Sequence, residues 1–241
     1  MKNNMDNEYY LSIRSKMLRE FNAMYKGAKN ELSMHFNEEK TDYLQKESKH
    51  NYENLFKELP YIGGSKNADT INLIMGAIAL SIICPLEEEK LSDHQIGKVI
   101  YEAFKGYFES RPNIIRRILG YIATSKFYIE KMKRQIESSS QRKYEDNFVS
   151  EIVESEGQDF DFGYNYVECA IHKLFKKYNV ERFLRYVCLG DYAMFRSLGI
   201  GFTRTQTIAN GGSFCDFRFT RKGETISGWP PEDLAEWNKT R

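Results

Sequence analysis

The side chains able to do chemistry gather in the last third of the chain. Three of the four cysteines (Cys169, Cys188 and Cys215) lie there. Cys188 and Asp191 are three residues apart, and on a helix that spacing makes them neighbours on one face. Two strand-like runs follow, Ile200–Ile208 and Phe214–Arg221, around Ala209-Asn210-Gly211-Gly212-Ser213. An Asn-Gly-Gly turn between two such runs predicts a β-hairpin. Alternation along the second strand puts Cys215, Phe217 and Phe219 on one face and Asp216 with Arg218 on the other. The first face is apolar and should pack inward. A cysteine on such a face is a small hydrophobe more often than a nucleophile. Asp216 with Arg218 could be an ordinary surface ion pair worth about 0–1 kcal/mol.

Cys169-x-x-His172, followed by Cys188 and Cys215, offers ligand types that suit zinc. Only one close pair exists where a structural site presents two, so no closed zinc site is expected. The chain has no Gly-x-Ser-x-Gly elbow, no phosphate-binding Walker loop and no His-Glu-x-x-His. Of four His, only His172 sits near the C-terminal polar cluster. Serine-histidine-aspartate chemistry is therefore not expected, nor is an organic cofactor.

The elements that must position these residues can be read from periodicity. Tyr10, Ile13, Met17, Phe21, Met24, Ala28 and Leu32 recur at spacings of three and four, one helical stripe. A more charged helix is expected over 38–59, with Tyr43, Tyr52, Leu55 and Phe56 as its apolar contacts. Pro60-Tyr61-Ile62-Gly63-Gly64-Ser65 breaks the chain, and Asn67 or Asp69 should cap the next helix. That helix, Ile71 to Cys84, is apolar on all sides. At about 14 residues it is short of the roughly 20 needed to span a bilayer, so it reads as the centre of the fold, closed by Pro85. Ser92-Asp93 cap a helix carrying Ile96, Val99, Ile100, Ala103, Phe104 and Tyr107. Pro112 opens another with Ile115, Leu119, Ile122 and Phe127 on its face. The polar run 137–143 reads as a flexible connection. Phe148–Val153 is a strand by its β-branched content, and helices are expected over 164–178 and 180–198.

The architecture expected is α+β: a helical N-terminal half packed on a C-terminal lobe with a small antiparallel sheet ending in a β-hairpin. One domain, 1–241, should comprise a helical lobe (1–140) and an α+β lobe (141–241) that holds the site. Composition sets the outer limits. The chain has 241 residues, 41% of them hydrophobic, and 35 Lys+Arg against 34 Asp+Glu leave a net charge of +1. A nucleic-acid partner is not expected without a basic excess. A disulfide scaffold is not expected from four Cys. The first residues lack an apolar signal core, and the expectation is a cytoplasmic protein with no membrane partner. A homo-oligomer is left open.

Beyond these readings, Arg204-Thr205-Gln206-Thr207 leading through a Gly-containing turn into Cys215-Asp216-Phe217-Arg218 resembles the L-2-amino-thiazoline-4-carboxylic acid hydrolase family. Cys188-Leu189-Gly190-Asp191 is similar to that family's Cys-x-x-Asp helix. Phe162-Gly163-Tyr164-Asn165 with Cys169-Ala170 matches the segment before it, and Pro60-Tyr61-Ile62-Gly63-Gly64 with Asn67 resembles its N-terminal signature. The resemblance implies hydrolytic opening of a 2-amino-thiazoline ring to an N-carbamoyl-cysteine-type product, or more broadly cleavage of a C–N or C–S bond in a small cyclic amidine or amide. A weaker resemblance, to a vinyl-reductase-like small-molecule-binding fold, implies a non-catalytic binding or regulatory module.

For the hydrolase, the implied catalytic candidates are Asp191, Cys188, Cys215 and Asp216. A carboxylate could activate water as general base, or a thiol with a lowered pKa could attack the amidine carbon. Arg204 or Arg218 could clamp the substrate carboxylate, with Thr205 and Thr207 orienting it. Asp191, Cys188, Arg204, Cys215 and Asp216 are expected to converge between the last helix and the hairpin. Without a bulge, Cys215 stays inside and Asp216 faces away.

Overall fold

A computed structural model describes residues 3–239, with side chains from 8 to 238. The N-terminal helices are α1 (Asn3–Ser12), α2 (Arg14–Leu32), α3 (Glu38–Leu55), α4 (Thr70–Glu87) and α5 (Asp93–Glu109). There follow α6 (Asn113–Ala123), α7 (Lys126–Ser139), β1 (Val149–Val153), β2 (Phe162–Glu168) and α8 (Ala170–Lys177). The chain continues through α9 (Leu184–Val187), α10 (Gly190–Leu198), β3 (Gly201–Thr203) and β4 (Cys215–Thr220). It divides into two compact units: Met1–Tyr107 with Lys173–Val187, and Phe108–His172 with Cys188–Arg241. The lobe boundary expected near residue 140 falls inside the second unit.

The first unit is helical. Its centre is α4, buried from Leu73 to Ile83. Among the described residues α4 is the single helix long and apolar enough to cross a membrane, and most of it is inside the protein. Around it lie α2 and α3. The predicted stripe is buried at Tyr10, Met17, Phe21, Met24, Ala28 and Leu32, although α1 and α2 break at Ile13. Asn37 accepts from the Lys40 amide at 2.9 Å and starts α3. Ser92 and Gln95 exchange hydrogen bonds as a capping box before α5. Three expectations need correction here. Tyr43 is 49% exposed rather than a core contact. Asp69 precedes α4 without capping it; Asn67 instead accepts from the Asp69 amide and donates to the Ile62 carbonyl. Pro85 lies within the last turns of α4 rather than closing it.

The second unit holds a four-stranded antiparallel sheet of order β1-β2-β4-β3. β2 pairs Phe162, Tyr164 and Tyr166 with Phe219, Phe217 and Cys215 of β4. These side chains share one face, where the Tyr164 and Phe217 rings stack at 5.2 Å. The expected helix over 164–178 is therefore wrong for its first five residues. Phe162, Tyr164 and Tyr166 alternate with period two, and alternating aromatics suit a pleated surface better than a helix. β3 and β4 pair antiparallel as expected, but residues 204–214 between them form a broad loop with a short helical turn at Ile208–Asn210, not a tight turn.

The single helix expected after Pro112 is two, α6 and α7, broken at Thr124-Ser125. The run 137–143 is not a free linker. α7 extends to Ser139, whose buried hydroxyl accepts the Ser150 amide of β1 at 3.0 Å.

Candidate functional site

Within the second unit, α10 and the loop after β3 meet at one guanidinium. Arg204 keeps only 1% of its side-chain surface. Its Nε and Nη2 donate to Glu236 Oε2 and Oε1 at 2.5 and 2.7 Å, a bidentate pair. Nη1 donates to Asp191 Oδ2 at 2.7 Å, and Nη2 also reaches the Cys188 carbonyl at 3.0 Å. Four of the five guanidinium N–H groups are thus used inside the protein. The rings of Tyr192, Phe202 and Phe217 stand 5.1–5.5 Å from its centre. The Tyr192 hydroxyl donates to Glu236 at 3.1 Å. Asn210 donates to the Glu236 carbonyl at 3.1 Å, while its own Oδ1 is buried without a partner.

The two carboxylates differ in exposure. Glu236 is 1% exposed and Asp191 29%. Arg204 holds Asp191 through Oδ2, and the side chain keeps part of its surface accessible. Burial raises the Asp191 pKa; Arg204 opposes this without cancelling it. Burial works against the charge on Arg204, but Glu236 and Asp191 together hold its pKa well above the ordinary value.

Three thiols surround this cluster. Cys188 and Cys169 are half-buried and Cys215 is buried. Burial raises all three: Cys169 to about 12, Cys215 to about 11 and Cys188 well above 9, although Arg204 pulls Cys188 and Cys215 down. Cys215 accepts the Ile208 amide at 3.3 Å, and Cys169 the His172 amide at 3.4 Å. Among the described residues, no three His, Cys, Asp or Glu side chains are grouped to hold a metal ion.

Cys188, Asp191, Arg204 and Cys215 are therefore brought together, with Cys169 beside them. Asp216 is not among them. On the opposite sheet face it accepts from the Thr205 amide (2.9 Å), the Thr205 hydroxyl (2.8 Å) and the Gln206 amide (2.8 Å), which fixes the start of the loop. Thr207 is fully buried and caps the turn by accepting the Asn210 amide. Arg218, on the same face as Asp216, spends its guanidinium on Asn165 Oδ1 and the Tyr164 and Phe217 carbonyls. A groove of about 290 Å³ along α7 and β1 includes none of these residues. Glu236 was missed by sequence reading. It lies in a polar segment with no helical or strand period, 32 residues from its partner Arg204.

The fold and site define an α+β protein whose small antiparallel sheet buries one arginine between two carboxylates and beside three thiols. The sequence model of the L-2-amino-thiazoline-4-carboxylic acid hydrolase family matches residues 72–219, and the chain belongs to that family. No curated protein and no solved structure matches it significantly.

Proposed function

We propose that the protein is a hydrolase that opens a small cyclic amidine of the 2-amino-thiazoline-4-carboxylate kind, with Asp191 as general base. The observation that carries this reading is the asymmetry of the two carboxylates on Arg204: Glu236 is sealed, whereas Asp191, bonded to Arg204 through one oxygen, keeps 29% of its side-chain surface accessible. With one cation between two anions, the cluster has a net negative charge that favours the amidine end of such a substrate. Asp191 takes a proton from water as the water oxygen bonds to the amidine carbon. The substrate amidine being bound protonated, the tetrahedral centre then collapses: its hydroxyl oxygen releases a proton to solvent as it becomes the urea carbonyl, and the C–S bond breaks. Asp191 returns its proton to sulfur, and the ring nitrogen remains as the urea N–H of an N-carbamoyl-cysteine-type product with a free thiol. Arg204 serves to hold and orient Asp191 rather than to clamp the substrate carboxylate. Attack by water is favoured over attack by cysteine, because thiols with raised pKa values are poor nucleophiles at neutral pH.

Incubation with 2-amino-thiazoline-4-carboxylate, following free thiol, tests the reading. Asp191→Asn should lower kcat by roughly 10²–10⁴-fold with the fold intact. Full activity in that variant would remove Asp191 from the mechanism. Tight binding without turnover in the unaltered protein would favour a binding module instead.

A further inference from the structure

The helix α6 is packed by its small face. Gly120 lies against α10 so closely that a Cβ there would stand 2.2 Å from the Leu198 carbonyl oxygen, and the Arg116 guanidinium reaches the Ser197 carbonyl. The opposite arc of the helix is apolar and faces solvent. At 100° per residue, Tyr121, Ile114, Ile118, Ile122, Ile115 and Leu119 fall on one arc of about 160°. They are 81, 69, 52, 49, 44 and 41% exposed. Phe127, at the start of α7, extends the patch and is 76% exposed. Isolated exposed apolar residues need no explanation, but a contiguous apolar face of this kind marks an interaction surface.

Charge identifies the occupant. Residues 111–134 contain seven Lys and Arg and a single Glu, a local charge of +6 in a chain of +1, so the remainder is net −5. Arg111, Arg117 and Lys126 are exposed beside the patch or at the helix ends. A second copy docking two-fold on this face would bring like charge against like charge. An 11-residue helix is also only about 16 Å long, so its face falls well short of the roughly 800 Å² per partner of a stable interface. An isoleucine-rich arc with aromatic residues at its margin, flanked by arginine and lysine, has the chemistry of a helix lying in an anionic lipid surface.

We infer that α6, with Phe127, docks the protein on the surface of a bilayer containing anionic phospholipid. The expectation of no membrane partner rested on the lack of a spanning segment, and a surface-lying helix needs none.

Flotation of the full chain with phosphatidylcholine vesicles, with and without about a third phosphatidylglycerol, tests this. Binding should appear on the anionic vesicles and weaken sharply as salt rises. Ile118→Ser with Ile122→Ser, and separately Arg117→Glu with Lys126→Glu, should each cut partitioning about tenfold or more while circular dichroism stays unchanged. No binding to either vesicle would overturn the proposal. So would binding that neither pair of substitutions affects. A concentration-dependent dimer in analytical ultracentrifugation, abolished by the isoleucine substitutions, would assign the face to a second copy and overturn it equally.

Discussion

Glu236→Gln removes one charge from the buried cluster and almost no volume. In the native protein Arg204 receives two charge-assisted bonds from Glu236, at 2.5 and 2.7 Å, and one from Asp191. The glutamine keeps one acceptor oxygen and places an N–H₂ donor against a guanidinium that has only donors. One charge-assisted bond is lost, which costs about 1.5–3 kcal/mol. Asp191 remains to balance Arg204, so the cost should stay below the roughly 3–5 kcal/mol of a buried charge left without a partner. Glu236→Ala removes both bonds and should reach that higher range. Asp42→Asn breaks the exposed Lys29–Asp42 pair, 42% and 48% accessible, and is the internal control, expected to change stability little because solvent screens such a pair. Urea unfolding monitored by fluorescence gives all three differences, read at constant m. A second readout follows from the charges. Glu236 raises the Asp191 pKa, so its neutralisation should lower that pKa. The acid limb of the activity profile, where Asp191 gains a proton as pH falls, should then move to lower pH in Glu236→Gln. A loss of under about 0.5 kcal/mol, within the range of ordinary surface changes, or a limb that moves to higher pH, would refute the reasoning.

Two further outcomes are expected. Because burial holds the Cys188, Cys169 and Cys215 thiols above the ordinary cysteine value, iodoacetamide at pH 7.5 should label them far more slowly than a free cysteine, with labelling rising only as pH climbs past 9; rapid modification of Cys188 at neutral pH would restore it as a nucleophile. Gly120→Ala should force α6 away from the Leu198 carbonyl and cost about 1–3 kcal/mol, measured by thermal unfolding, whereas a neutral result would mean that α6 does not pack on its glycine face.

Much of the fold was legible because the sequence patterns are strong. The stripe from Tyr10 to Leu32 and the all-apolar run of α4 each have one physical solution, a buried helical face and a buried helix. Alternation along β4 likewise set Cys215 inward and turned Asp216 away. The single helix expected over 180–198 is broken, however, and Cys188 reaches Asp191 from the turn between α9 and α10, where its carbonyl accepts the Asp191 amide, rather than from a shared helix face. Failures arose where a local pattern served two masters. Tyr164 and Tyr166 lie among residues with helical neighbours, and cross-strand pairing with Phe217 and Cys215 decided the matter. Ile115, Leu119 and Ile122 do form the expected stripe, but the helix packs by Gly120 instead, and periodicity alone cannot say which face is covered. Glu236 was out of reach for a different reason. Its role depends on a partner far away in sequence, and no local signal marks a carboxylate destined for a buried guanidinium.

The distance between Arg204 and Glu236 also imposes an order of events on synthesis. Chains emerge from the ribosome N-terminus first, at about 5–20 residues per second. α10, β3 and Arg204 leave before their sealing carboxylate exists outside the exit tunnel. Until Glu236 follows, the guanidinium can pair with Asp191, but its Nε and one Nη2 hydrogen bond inside the ring of Tyr192, Phe202 and Phe217 lack the acceptors that Glu236 supplies. The segment around Glu236 thus acts as a latch, and the Arg204 cluster is complete only after synthesis has passed the final strand of the sheet.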